Sequence, residues 1–118
     1  MKFLTIMAAA LALSTSAVFA APAGKANGVL VDGKGMTLYT FDNDTSGTSN
    51  CYGGCAKSWP PFIAASGAAA EGDFTLVERK DGAMQWAVNG QPLYYWAGDR
   101  KPGDINGDGV GGVRHVLK

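Results

Sequence analysis

The sequence predicts a mainly β protein. It reads as a small single domain of about six short strands in hairpins and a meander, made of two related units, with one short helical turn near a cysteine pair. Three observations lead there. The first is a hexamer that occurs twice: Tyr39-Thr40-Phe41-Asp42-Asn43-Asp44 reads Y-x-F-x-x-D, and Tyr94-Tyr95-Trp96-Ala97-Gly98-Asp99 reads Y-x-W-x-x-D, 55 positions later. At the same offset Gly35 falls on Gly90, Leu38 on Leu93 and Gly54 on Gly109. The second is a series of short runs rich in β-branched and aromatic residues, punctuated by Asp-Gly and Asn-Gly turns. The third is the scarcity of helical signal: the alanine-rich stretch Ala64 to Gly72 lacks helical periodicity and reads as a surface connection.

The elements follow in order. Met1-Lys2, the apolar run Phe3 to Leu13 and the segment Val18-Phe19-Ala20, which ends in a small residue, form the three parts of a secretory signal, residues 1–20, with cleavage between Ala20 and Ala21. The apolar run is shorter than the roughly 20 residues a membrane span needs. Residues 21–27 are small and polar and read as a flexible tail. The two-unit domain then occupies 28–118, with unit one at about 28–64 and unit two at about 74–118.

In unit one, Val29-Leu30-Val31 is a strand, Asp32 to Gly35 a turn, and Met36 to Phe41 the return strand. Asp42 to Asn50 is a loop. Cys51 to Trp59 holds one helical turn, stopped by Pro60-Pro61. In unit two, Phe74 to Arg79 pairs through Asp81-Gly82 with Ala83 to Val88, and Asn89-Gly90 turns the chain into Pro92 to Trp96. A glycine-rich loop runs from Ala97 to Gly112, and Val113 to Leu117 is the final strand.

Aromatics two residues apart on a strand share a face. Tyr39 with Phe41, and Tyr94 with Trp96, are therefore two aromatic pairs. Asp44 and Asp99 lie past the strand ends, where a carboxylate can accept loop N–H groups. One reading makes the pairs core and the carboxylates loop-fixers. The other makes Trp59, Tyr94 and Trp96 an exposed ligand surface for a sugar or peptide.

These residues resemble a bacterial family of secreted repeats of unknown function, often described as small lipoproteins with a Y-x-[FWY]-x-x-D motif. Leu38-Tyr39-Thr40-Phe41 with Asp44, Cys51-Tyr52-Gly53-Gly54-Cys55-Ala56 and Trp59-Pro60-Pro61 look like its first unit. Asp81-Gly82, Gln85-Trp86, Gly90, Pro92-Leu93-Tyr94 with Asp99, and Pro102-Gly103-Asp104 look like its second. The resemblance implies export and a two-unit fold; it implies no activity. This chain departs from the lipoprotein members in having no cysteine near the cleavage site, so a lipid anchor is not expected.

Charge narrows the partners. Removing Lys2 from ten basic side chains leaves nine against ten acidic, a net charge of −1. No basic stretch could track phosphates, which argues against nucleic acid. Export places Cys51 and Cys55 in an oxidising compartment, where an even count reads as a disulfide. Copper or another metal is the competing use: the two sulfurs as thiolates, with His115, would supply soft ligands. A redox role is weaker on sequence, because the cysteines have three residues between them and no βαβ pattern around them.

Asp104-Ile105-Asn106-Gly107-Asp108-Gly109 opens like a calcium loop, but its twelfth position is His115 where a bidentate Glu is required. It reads instead as a glycine-rich turn. No G-x-S-x-G is present, and His115 is the sole histidine. The expectation is a non-enzymatic, cofactor-free binding or interaction module, periplasmic or secreted, with a protein or small-molecule ligand in the cell envelope.

Overall fold

The computed structural model describes residues 21–118. The expected signal peptide lies outside the described residues. Among the described residues there are seven short strands, one short α-helix and one 3-10 turn: β1 (Ala23–Ala26), β2 (Val29–Asp32), β3 (Tyr39–Phe41), α1 (Gly54–Ser58), β4 (Phe74–Glu78), β5 (Met84–Val88), β6 (Gln91–Pro92), the 3-10 turn Val110–Gly112 and β7 (Arg114–Val116). They form three antiparallel sheets, β1-β2, β3-β7 and β4-β5-β6.

The expected tail is not loose. Ala23–Ala26 pairs with Val29–Asp32 through a two-residue turn, Asn27-Gly28, in which both residues take positive φ, 51° and 84°. Asn-Gly tolerates that conformation, and the resulting twist suits a hairpin. Asn89-Gly90 repeats the device between β5 and β6, with φ of 51° and 83°. The expected strand after Asp32 is shorter than Met36 to Phe41. Its first half makes only isolated bonds to β2, Asp32 N–H to the Met36 carbonyl and Leu38 N–H to the Leu30 carbonyl. The turn between them is held by Asp32, whose Oδ1 accepts the N–H groups of Lys34 and Met36 at 2.8 and 2.9 Å.

The two units exchange their last segments. Tyr39 and Tyr94 face each other across the molecule: each N–H donates to the other's carbonyl, at 2.8 and 2.9 Å. Around that centre the bonds repeat at the 55-residue offset. Asp42 N–H donates to the Val113 carbonyl, and Ala97 N–H to the Ser58 carbonyl, both at 2.8 Å. Farther out the repeat slips by one residue on the donor side: Leu30 N–H reaches the Leu117 carbonyl, and Trp86 N–H, not that of Gln85, reaches the Phe62 carbonyl. Residues 113–117, the end of unit two, thus complete the sheet of unit one, and residues 58–62 do the reverse. Neither unit can satisfy its backbone groups alone, so the repeat makes one domain.

Two apolar clusters result. One gathers Leu30, Leu38, Phe62, Trp86, Val88 and Leu93, with Phe74, Tyr95 and Leu117 against it. The other gathers Tyr39, Cys51, Trp59 and Tyr94, with Phe41, Cys55, Trp96 and Val116. The second contains the hexamer aromatics and is where the sequence-marked residues meet.

Candidate functional site

The hexamers lock each other. Tyr39 and Tyr94 are fully buried at the strand crossing. The Tyr39 hydroxyl donates to Asp99 Oδ2 at 2.6 Å, and the Tyr94 hydroxyl donates to Asp44 Oδ2 at 2.6 Å. Each tyrosine therefore holds the carboxylate of the other unit. The second oxygen of each carboxylate fixes a loop, as expected: Asp44 Oδ1 accepts Asn50 N–H at 2.7 Å and Asp99 Oδ1 accepts Asn106 N–H at 2.9 Å. Burial and the carboxylate partner push both phenols well above the ordinary tyrosine range. Both stay protonated and serve as permanent donors. Desolvation likewise raises Asp44, against the lowering effect of its bonds to Tyr94 and Asn50.

The aromatics pair both across the units, Phe41 with Tyr94 and Trp59 with Trp96, and within unit one, Tyr39 with Trp59. Phe41 meets Tyr94 edge-on at 6.4 Å, Tyr39 meets Trp59 edge-on at 5.5 Å, and Trp59 stacks on Trp96 at 4.2 Å. The proposed ligand surface of Trp59, Tyr94 and Trp96 does not open to solvent. Trp59 is 6% exposed, Tyr94 is fully buried, and Trp96 is only partly exposed. Gly107 explains part of the tightness. Its N–H donates to the Tyr39 hydroxyl at 3.1 Å, and a side chain there would set its Cβ 2.9 Å from the Tyr39 ring.

Two buried arginines complete the cluster, and neither was singled out from sequence. The Arg79 guanidinium donates to Ser49 Oγ, Gln85 Oε1 and the Cys51 carbonyl, at 3.1, 2.8 and 2.7 Å. Ser49 in turn lies 2.6 Å from the Tyr94 hydroxyl. Because that hydroxyl gives its proton to Asp44, Ser49 donates to Tyr94, and a hydrogen-bonded chain runs from Arg79 to Asp44.

Arg114 is 2% exposed and occupies the position in unit two that Trp59 occupies in unit one. Its guanidinium carbon sits 3.8 Å from the Phe41 ring centre, 4.2 Å from Trp59 and 4.7 Å from Tyr94. Three ring faces supply the quadrupole attraction that partly replaces lost hydration. Burial still pulls this guanidinium down to about 10, opposed by its attraction to Asp44. Nη2 donates to Cys55 Sγ at 3.0 Å and Cys51 Sγ at 3.3 Å. Nη1 has no acceptor among the described residues.

Cys51 and Cys55 form a disulfide. The alternative metal donor set of Cys51, Cys55 and His115 does not assemble. Both sulfurs are bonded to each other, and His115 Nε2 lies 2.8 Å from Asp42 Oδ2 at the surface. Strand alternation explains the separation: Arg114, one residue earlier on β7, is the side chain turned to the sulfurs. Among the described residues no three His, Cys, Asp or Glu side chains group as a metal would need. The calcium-like stretch is dispersed as well. Asp104 Oδ2 accepts the N–H groups of Arg100 and Lys101, whereas Asp108 Oδ1 accepts that of Val116.

A family described as a secreted repeat of unknown function matches twice, over residues 23–63 and 75–118. The chain belongs to that family. Each match to the secreted repeat contains one hexamer and ends in the segment donated to the other unit. No curated protein and no solved structure matches the chain. Among the described residues no helix is long and apolar enough to cross a membrane.

Proposed function

We propose that the protein is a non-enzymatic binding module of the cell envelope or its surroundings, periplasmic or released. Its ligand surface on this reading is a cleft rather than the hexamers. The observation that carries it is the internal use of the hexamer groups: both hydroxyls and both carboxylates bond to each other and to adjacent loops. Groups so engaged have little left to offer a substrate.

The cleft lies where the β1-β2 hairpin meets the loop Pro102 to Ile105. It encloses about 350 Å³ and is lined by Val29, Val31, Lys34, Thr37, Pro102 and Ile105. That size is within the range of small-molecule sites, roughly 300–1,000 Å³. Ile105 is 50% exposed at its rim. A wall of mixed polarity, with Val29, Val31, Pro102 and Ile105 beside Asn27, Thr37 and Lys34, suits a ligand or partner side chain with an apolar body and a negative end.

The fluorescent anion 1-anilinonaphthalene-8-sulfonate is a direct probe. The wild type should bind it with a blue-shifted emission, and Ile105→Asp should weaken that binding at least tenfold. Equal binding by both proteins would place the surface elsewhere, and no binding by the folded wild type would end the proposal.

A further inference from the structure

We infer that the Cys51–Cys55 bridge is a reactive exchange site for an external dithiol, with Arg114 stabilising the thiolates released. The inference is independent of the cleft. It rests on an asymmetry and a charge. Cys51 is fully buried and Cys55 is partly exposed. One guanidinium nitrogen, Arg114 Nη2, reaches both sulfurs at 3.3 and 3.0 Å. The three rings account for the place of the guanidinium, and its reach to both sulfurs sets a cation, buried at a cost, where thiolates would be released.

The chemistry follows from which cysteine is the more exposed. A thiolate of the incoming dithiol attacks Cys55 Sγ. The S–S bond breaks, and its electron pair leaves on Cys51 Sγ, beside Arg114 Nη2. A leaving thiol of low pKa leaves faster, and a neighbouring cation lowers it. The donor's second thiol, after losing its proton to solvent, attacks its own sulfur in the mixed disulfide. The donor closes its disulfide, and the electron pair of the broken bond leaves on Cys55 Sγ. Two electrons pass from donor to bridge. The donor's two protons go to solvent, from which Cys51 can take one while Cys55 stays a thiolate.

The surrounding charges favour that outcome. Arg114 from β7 faces both sulfurs, and Arg79, after β4, donates to the Cys51 carbonyl at 2.7 Å. Asp44 opposes them from the loop after β3, with its oxygens held by Tyr94 and Asn50. Arg114 Nη1, buried without an acceptor among the described residues, is a spare donor for a released thiolate.

The first test uses the reduced wild type. The rate of alkylation by iodoacetamide is followed from pH 4 to 10, with the modified cysteine located by mass. Cys55 should react with a midpoint at least one pH unit below the value of about 8.5 for a free thiol. A midpoint at or above that value, including one caused by unfolding on reduction, overturns the inference.

The second test compares rates of reduction by dithiothreitol at pH 7. Arg114→Met should be at least tenfold slower than wild type; equal rates overturn the inference, and if the variant does not fold the first test decides. The third assigns the attacked sulfur. Oxidised glutathione should trap Cys51→Ser as a mixed disulfide on Cys55 at least tenfold faster than it modifies Cys55→Ser, and the reverse order would refute the assignment.

Discussion

The loops that follow the two hexamers start alike and close differently. After Asp44, the chain is held by a covalent bridge, and Ser49 and Arg79 fasten it to the core. After Asp99, no bridge is present; Asp104 accepts two backbone N–H groups and its carbonyl accepts the Thr37 hydroxyl at 2.7 Å. The shared part is the lock of tyrosine on carboxylate. The unshared part includes the disulfide and the exchange of Trp59 for Arg114. A repeated feature is what the fold requires of each copy. The places where the copies diverge are where a single-copy property, such as a reactive bridge, can reside.

The Trp59 and Arg114 positions sharpen that comparison most. Trp59→Ala removes a ring stacked on Trp96 and set edge-on to Tyr39. It should cost about 3–5 kcal/mol, as large aromatic truncations do. Arg114→Ala should cost less, because the cavity it opens is offset by no longer burying a charge. Arg114→Met, which keeps most of the volume, should lie within about 1.5 kcal/mol of wild type. Urea unfolding gives all three. If Arg114→Met falls as far as Trp59→Ala, the charge itself holds the cluster together, and the two positions are more alike than their chemistry implies.

The lock comes next in size. Tyr39→Phe and Tyr94→Phe each remove a hydroxyl that is both donor and acceptor, so each should cost about 1–3 kcal/mol. Tyr94→Phe should be the larger, since it strands Ser49 and withdraws a donor from a carboxylate already raised by desolvation. Gly107→Ala attacks the same lock from the loop side. Its methyl would meet the Tyr39 and Trp59 rings at 2.9 and 3.0 Å, and overpacking against such rigid neighbours costs about 1–3 kcal/mol. A neutral Gly107→Ala would show that the second loop yields where the first, bridged loop cannot.

Much of this arrangement was legible in the sequence, and the omissions have physical causes. The paired hexamers, the loop-fixing carboxylates, the disulfide and the turns at Asp32, Asp81 and Asn89 all follow from local rules. The first hairpin escaped because Asn27-Gly28 sits among small residues that resemble a tail, although Asn-Gly is itself a strong turn signal. The exchange of 58–62 for 113–117 escaped because antiparallel pairing between distant segments leaves no local trace. The burial of Arg79, Gln85 and Arg114 escaped because long polar side chains are ordinarily solvated. One signal was available for Arg114: at the repeat offset it stands where Trp59 does, so an aromatic-lined position in the other unit is a reasonable place to look.

The smallest effect tests whether the loops differ electrostatically as well as covalently. Asp44 is raised by desolvation, so its protonated form is favoured by folding. Its contribution is fully present below the unfolded value of about 3.9 and is lost as pH rises through the folded value. Asp104 is lowered chiefly by the Arg100 N–H, with Lys101 adding to it at 3.2 Å. Its contribution is present above the unfolded value and is lost as pH falls through the depressed folded one. Urea midpoints of wild type, Asp44→Asn and Asp104→Asn between pH 3 and 7 separate the two. Acidification should shift the wild type upward relative to Asp44→Asn, and should reduce its advantage over Asp104→Asn. Parallel curves for both variants would mean that the bridged loop and the hydrogen-bonded loop respond to protons alike, leaving the covalent closure and the Arg114 position as the differences between the units.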